Sequence, residues 1–293
     1  MDKPTILVQL DTDPLPSAFD RIVAVDAGAQ HTFSYGGVTT DNVKALVQGC
    51  IFTRGAKDLH RTAIFVGGSD LAAGEAVFAE VRRHLIPVFQ LSVSVLLDSN
   101  GSNTTAAAAV VAAGRHIDLK KCRSLILGGT GPVGQRVARL LAGLGGHVRV
   151  GSRSLQKAND AIAAIKRDVP AGRLEAVAAS TDADAADALD RVQLVVAAGA
   201  GGITLLPERQ RLAAKQLQVA IDLNGEPPAG IEGLELNDKA TNRDDVLCYG
   251  ALGVGFTKMK IHKAAIAAMF TRSDAVYDAE AIFKLAQSLE LPS

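Results

Sequence analysis

The sequence predicts an α/β protein: a doubly wound parallel sheet of the Rossmann type, preceded by a smaller α/β domain, with a cleft between the two. Three observations predict it. Short apolar, β-branched runs alternate with Ala-rich stretches of helical period along the chain. The glycine string Gly129-Thr130-Gly131-Pro132-Val133-Gly134 stands between such a run and such a helix. A length of 293 residues suffices for about two domains with buried cores.

The runs at 5–9, 21–25, 63–66, 91–97, 124–127, 147–150, 193–197 and 218–223 are expected as strands. A polar cluster at 98–105 can cap a helix through the Ala-rich run 106–113, which sets the boundary there. Residues 1–105 are expected as the substrate domain and 106–265 as the nucleotide domain. The segment 273–278 reads as a turn and cap. Residues 266–293, with Ile282, Leu285 and Leu289 on one helix face, are expected to fold back on the first domain.

Composition excludes several classes. Lys and Arg number 31 and so do Asp and Glu, a balance that disfavours a general binder of nucleic acid or anionic membrane. No window offers the ~20 uninterrupted apolar residues of a membrane span. The start Met1-Asp2-Lys3-Pro4 lacks the basic head and apolar middle of a secretory signal, so a cytoplasmic location is expected. Cys50, Cys122 and Cys248 are too few and too scattered for a disulfide framework and read as buried free thiols. The six histidines never fall at i, i+4, and no metal is expected.

In the glycine string, Gly129 is expected to permit the tight turn, Gly131 to let backbone approach a pyrophosphate, and Gly134 to let helix and strand pack closely. Thr130, Pro132 and Val133 complete the loop and open a helix whose first N–H groups face the phosphates. An acid ending the next strand would hold the ribose hydroxyls of NAD; Ser152 and Arg153 stand there instead. A hydroxyl beside a guanidinium fork suits a 2′-phosphate, so NADP is the expected cofactor, with NAD also accepted. An ordinary solvated arginine is the plain alternative for Arg153. Ala198, Gly199 and Ala200, with Asp222 and Asn224, follow later strands and are expected to wall the nicotinamide half. Gly253 is expected in one more backbone-close turn.

The order Leu10-Asp11-Thr12-Asp13, Ser17-Ala18-Phe19-Asp20, Thr53-Arg54-Gly55, residues 62–75, the string 97–105 and Gly250-Ala251-Leu252-Gly253-Val254-Gly255 resembles the NAD(P)-dependent methylene-tetrahydromethanopterin dehydrogenases of methylotrophic bacteria, through essentially all 293 residues. The resemblance implies hydride transfer from the methylene bridge of a reduced pterin to NAD(P), giving the methenyl form, in one-carbon metabolism. It also implies a homo-oligomer, a trimer among the options, and a functional lysine at Lys258. Asp20 is the candidate carboxylate partner of Lys258. Lys260 is a weaker alternative, because on an extended stretch both side chains would share a face. Asp98, Asn100, Asn103 and Thr105 are candidates to hydrogen-bond the pterin edge, with helix capping as the plain alternative. Arg54 could meet an anionic tail. Ser69 has no His or acid placed by motif to activate it as a nucleophile.

Three other readings remain open. A methylene-tetrahydrofolate dehydrogenase would present the same reacting bridge. A shikimate-type dehydrogenase would show a Lys/Asp pair on a hydroxyl. A redox sensor would bind NADP without turnover.

Overall fold

The computed structural model describes residues 2–179 and 182–290 and folds as two compact units, 1–104 with 259–293 and 105–258. The chain crosses between them inside two helices.

The first unit contains β1 (Ile6–Asp11), α1 (Ala18–Asp26), β2 (His31–Tyr35), α2 (Val43–Phe52), β3 (Thr62–Gly67), α3 (Leu71–His84) and β4 (Ser94–Leu97). β3 and β4 are buried at every position and β1 at all but Ile6, as parallel strands covered on both faces must be, so they read as near-continuous apolar runs. The helices start where side chains replace missing backbone acceptors: Ser17 accepts the N–H of Asp20 in α1, and Asp70 that of Ala73 in α3. Arg82, Arg83 and His84 sit in the last turn of α3, favourably placed against its negative dipole end. One face of the sheet is filled by Val8, Leu10, Ile64, Val66, Val95 and Leu97 against Val47, Ile51, Val77 and Val81.

α4 (Ser102–Gly114) leads into the second unit, which contains β5 (Arg123–Leu127), α5 (Pro132–Gly143), β6 (His147–Ser152), α6 (Leu155–Asp168), β7 (Arg173–Ala178), α7 (Asp182–Leu189), β8 (Leu194–Ala197), α8 (Glu208–Ala213), β9 (Val219–Asp222), β10 (Lys239–Arg243) and β11 (Val246–Tyr249). α9 (Ala251–Met269) returns the chain to the first unit, where β12 (Val276–Tyr277) and α10 (Ala279–Ser288) complete it.

The second sheet runs β7-β6-β5-β8-β9-β11-β10, parallel except for the β10–β11 pair. Its first six strands have the 3-2-1-4-5-6 order of the Rossmann fold, which reverses direction between β5 and β8 and so opens a crevice at their carboxyl ends. The first sheet runs β2-β1-β3-β4-β12, all parallel, the 2-1-3-4-5 order of flavodoxin-like sheets, with its own switch point between β1 and β3.

The structure departs from the sequence reading in three places. Residues 21–25, expected as a strand, lie in α1, and the strand comes later, at β2. Four apolar residues after an arginine do not separate a short helix from a strand. The turn expected at 273–278 contains β12, which adds to the first sheet beside β4, while Asp278 does cap α10 by accepting the Ala281 N–H at 2.9 Å. The stretch from Gly250 to Lys260, expected as a turn followed by extended chain, is mostly α9. Gly253 lies inside that helix, where an added Cβ would stand 1.8 Å from the Asp238 carbonyl oxygen, so this glycine serves helix packing and lines no open turn.

Candidate active site

At the carboxyl end of β5 the chain turns at Gly128, whose φ of +68° lies in the left-handed region. A side chain there would place its Cβ 2.5 Å from the Gly199 Cα, so the loop after β5 and the loop after β8 touch backbone to backbone. Gly128 was not among the expected site residues; the doubled glycine was its only signal. Gly129 is pressed against Val150 and the Ile126 carbonyl, and its N–H donates to the Gly151 oxygen at 3.1 Å. The tight turn thus belongs to Gly128, and Gly129 serves close strand contact. Gly134 meets the Gly128 oxygen at 2.6 Å from an added Cβ, which brings α5 down onto the loop.

Gly131 differs. An added Cβ would find its nearest neighbours at 3.4 and 3.5 Å, ordinary contact at the rim of the loop. Gly131 is the N-cap of α5 and no side chain caps the helix; Pro132 occupies its first turn. The first-turn N–H groups of α5 therefore lack a side-chain cap at a positive dipole end, a donor set that matches a pyrophosphate. Gln135 Nε2 donates to the Thr130 carbonyl at 2.8 Å and holds the loop in shape.

At the end of β6, the Ser152 hydroxyl oxygen accepts the Ser154 N–H at 3.2 Å, which leaves its proton to donate. Arg153 is exposed and has no ion-pair partner among the described residues. By contrast Arg149, on the same strand, is buried and donates to the carbonyls of Asp187, Ala188 and Asp190 and to Glu175. The free guanidinium at the strand end fits a 2′-phosphate, and the residues present fit a dinucleotide as a whole.

Ala198 continues the edge of β8 by donating its N–H to the Leu127 oxygen at 2.9 Å, and Gly199 packs on Gly128. Ala200 follows in the same exposed loop. Asp222 and Asn224 spend their polar atoms locally. The Asp222 carboxylate accepts the N–H groups of Asn224 and Ile231, each at 3.0 Å, and that of Gly230. Burial pushes its carboxyl above the usual range, against these three donors, which pull it down. Asn224 accepts from the Glu226 N–H and donates to the Pro228 carbonyl.

In the first unit, the four expected pterin contacts divide. Asp98 is buried and accepts from the N–H groups of Asn103 (2.9 Å) and Thr104 (3.0 Å) and from the Thr104 hydroxyl (2.6 Å). Asn103 is also buried and donates to the Leu97 carbonyl at 2.6 Å. These two hold the start of α4. Replacing Asp98 with Ala should therefore cost about 2–3 kcal/mol by stranding buried donors. Denaturant unfolding measures this, and a variant of unchanged stability would remove the cap role. Asn100, exposed and in the left-handed region at φ 54°, and Thr105, half-buried, keep their side chains free of partners among the described residues.

Lys258 and Lys260, on α9, are ~200° apart around the helix axis and do not share a face. Lys260 donates to the Leu289 carbonyl at 3.3 Å. The helix instead sets His262 one turn beyond Lys258 on one side. His262 was missed, because the stretch was not read as a helix. Its ring is fully buried, stacked on Phe65 at 5.9 Å and tilted on Phe19 at 6.2 Å, with Nε2 3.9 Å from Asp20 Oδ1. Asp20, in the first turn of α1, thus faces a buried imidazole.

Two other candidates are committed elsewhere. Arg54 donates to the carbonyls of Pro4 and Arg61, both at 2.9 Å, and the Ser69 hydroxyl donates to Asp13 at 2.9 Å. All three cysteines are free and buried; burial pushes the Cys50 thiol up to about 12 and those of Cys122 and Cys248 up to about 11. Among the described residues no three His, Cys, Asp or Glu side chains gather as metal ligands, and no helix is long and apolar enough to cross a membrane.

A Rossmann sheet with an open glycine cradle at its switch point, joined to a second parallel α/β unit, defines an NAD(P)-linked dehydrogenase. Solved structures share this fold: shikimate 5-dehydrogenase from Listeria monocytogenes, in complex with shikimate and NAD, aligns over 96% of both chains with a TM-score of 0.57 at 15% identity. Quinate dehydrogenase from Corynebacterium glutamicum aligns over 98% of this chain and all of its own with a TM-score of 0.51 at 14% identity. The family described as methylene-tetrahydromethanopterin dehydrogenase, N-terminal, matches residues 18–100. The bifunctional protein MdtA of Methylorubrum extorquens is 44% identical over 97% of this chain and 98% of its own. The NAD(P)-dependent methylenetetrahydromethanopterin dehydrogenase of the same organism is 32% identical over 83% of this chain and 84% of its own. The chain belongs to the methylene-tetrahydromethanopterin dehydrogenase family and is an NAD(P)-dependent oxidoreductase.

Proposed function

We propose that this protein oxidises the methylene bridge of a tetrahydromethanopterin-type reduced pterin to the methenyl level, with NADP preferred over NAD. The observation that carries the cofactor half is the open cradle at Gly131 together with an exposed Arg153 that has no ion-pair partner among the described residues, where no carboxylate ends β6. Family membership carries the pterin half. NAD(P)⁺, when bound, supplies the ring carbon that accepts the hydride.

The reacting carbon lies between two nitrogens, so loss of hydride leaves a delocalised amidinium cation and requires neither base nor Lewis acid. What the protein supplies is orientation and exclusion of water. The glycine loop and the α5 N-terminus bind the phosphates, and Ser152 and Arg153 select the 2′-phosphate. Asn100 and Thr105 are assigned to the pterin edge, and Lys258 and Asp20 to the reacting end. An ammonium there would oppose the forming cation, which the Asp20 carboxylate offsets while Lys258 orients the substrate through its polar groups. A cytoplasmic homo-oligomer, a trimer by resemblance, belongs to the same proposal, and light scattering reads the subunit number.

The test is an assay of the purified protein with methylene-tetrahydromethanopterin and each nicotinamide cofactor, beside methylene-tetrahydrofolate. Pterin-dependent absorbance at the reduced-nicotinamide band is expected, faster with NADP. Its absence with both pterins, alongside tight NADP binding, would leave the sensor reading. Changing Lys258 to Ala should lower kcat about 100-fold, the scale of losing one positioned polar group, with NADP affinity within about twofold. Full turnover would remove Lys258 from the site.

A further inference from the structure

The Asp222 carboxylate ends β9 and stands away from the phosphate loop in sequence, yet a continuous line of contacts joins the two within the second unit. Asp222 holds the N–H groups of Asn224, Gly230 and Ile231. Gly230 approaches so closely that an added Cβ would stand 2.7 Å from Asp222 Oδ1. The Gly230 carbonyl accepts the N–H groups of Leu205 (2.8 Å) and Leu206 (3.0 Å), and the Thr204 hydroxyl donates to the Ala229 carbonyl at 3.1 Å. Leu205 in turn packs on Gly199, where an added Cβ would meet its Cδ1 at 2.7 Å. Gly199 is the backbone against which the left-handed Gly128 of the phosphate loop rests.

The geometry points to Asp222 as a positioning residue for the dinucleotide: its carboxylate is spent on backbone amides, and through Gly230, Leu205 and Gly199 it sets the floor on which the phosphate loop is built. An apolar side chain at 222 could fill the same volume. Only an acceptor with two oxygens can hold amides on both sides of the loop it closes. This role deepens the cofactor reading above and rests on it, but not on which pterin is oxidised.

Two substitutions interrupt the line at different atoms of one contact. Asp222→Asn turns one acceptor into a donor facing a backbone N–H, and Gly230→Ala drives a methyl onto the carboxylate. Each should raise the KM for NADP about tenfold and weaken NADPH binding, read by fluorescence titration, by the same factor. The kcat and the pterin KM should stay within about twofold, because an altered phosphate seat costs uniform binding. The double variant should be no weaker than either single one, since both cut one path.

A residue that only stabilised the fold would lower the active fraction, and with it kcat, without moving the cofactor KM. That pattern, or effects of the two substitutions that multiply, would overturn the inference. If Asp222→Asn does not fold, Leu205→Ala with Gly230→Ala tests the same line by the same criterion. The NADPH titration needs no pterin, so its outcome stands apart from that of the substrate assay.

Discussion

Gly131→Ala should abolish dinucleotide binding while leaving the fold as stable as before, whereas Gly128→Ala should damage both. At Gly131 the added methyl finds its nearest neighbours at 3.4 and 3.5 Å, so the free protein accommodates it. The methyl then occupies the rim where backbone must approach the pyrophosphate, and affinity should fall by 100-fold or more, roughly 3 kcal/mol. At Gly128 the residue must adopt φ +68°, which costs an L-amino acid about 1–2 kcal/mol. Its Cβ also lands 2.5 Å from the Gly199 Cα and 2.6 Å from the Gly199 nitrogen, backbone atoms that cannot turn aside as a side chain can. Denaturant unfolding and NADPH titration, run on both variants, separate the two effects. A Gly131→Ala protein that still binds NADPH at the native affinity would place the phosphates elsewhere.

Arg153→Glu should reverse the cofactor preference. Hydrogen bonds to a charged group are worth about 1.5–3 kcal/mol each, and the new carboxylate adds repulsion toward a 2′-phosphate, so the ratio of kcat/KM for NADP over NAD should fall by at least about 100-fold. Most of that change should come from loss of NADP, with a smaller gain for NAD as the carboxylate accepts from the ribose hydroxyls. Arg153→Lys should fall between, because an ammonium keeps the charge and loses the planar fork. An unchanged ratio in Arg153→Glu would show that this guanidinium never meets the phosphate. Among the described residues no ion pair competes for the side chain, so the measurement reports on the ligand.

The parts legible in the sequence are those whose physical requirement is local. The glycine string, its preceding strand and its following helix are contiguous, and a tight approach of backbone to backbone tolerates no other residue type. The exposure of Arg153 follows from its position one residue beyond β6. The cap Asp278 was legible for the same reason: a short acceptor immediately before a periodic apolar stretch.

Other elements were ambiguous because their pattern fits two structures. Residues 21–25 carry four apolar side chains, which suit a strand and equally a turn of α1 that buries only Val23 and Ala24, and neighbours remote in sequence settled it. Gly253 and Gly255 argued for a turn, but Gly253 is there because α9 presses on the Asp238 carbonyl. Once that stretch is a helix, Lys258 parts from Lys260 and shares a side with His262, whose contact with Asp20 no spacing rule links across more than 240 residues of chain.

The fold class, the glycine loop and the family are legible in the sequence, since they rest on short motifs whose residues are adjacent in the chain. Only the tertiary structure decided that Asp98 and Asn103 hold the start of α4, that Asp222 grips its own loop, and that His262 is buried beside Asp20. A carboxylate looks the same in a sequence whether its partners are backbone amides or a ligand, and which of these reaches it depends on where the fold brings the donors.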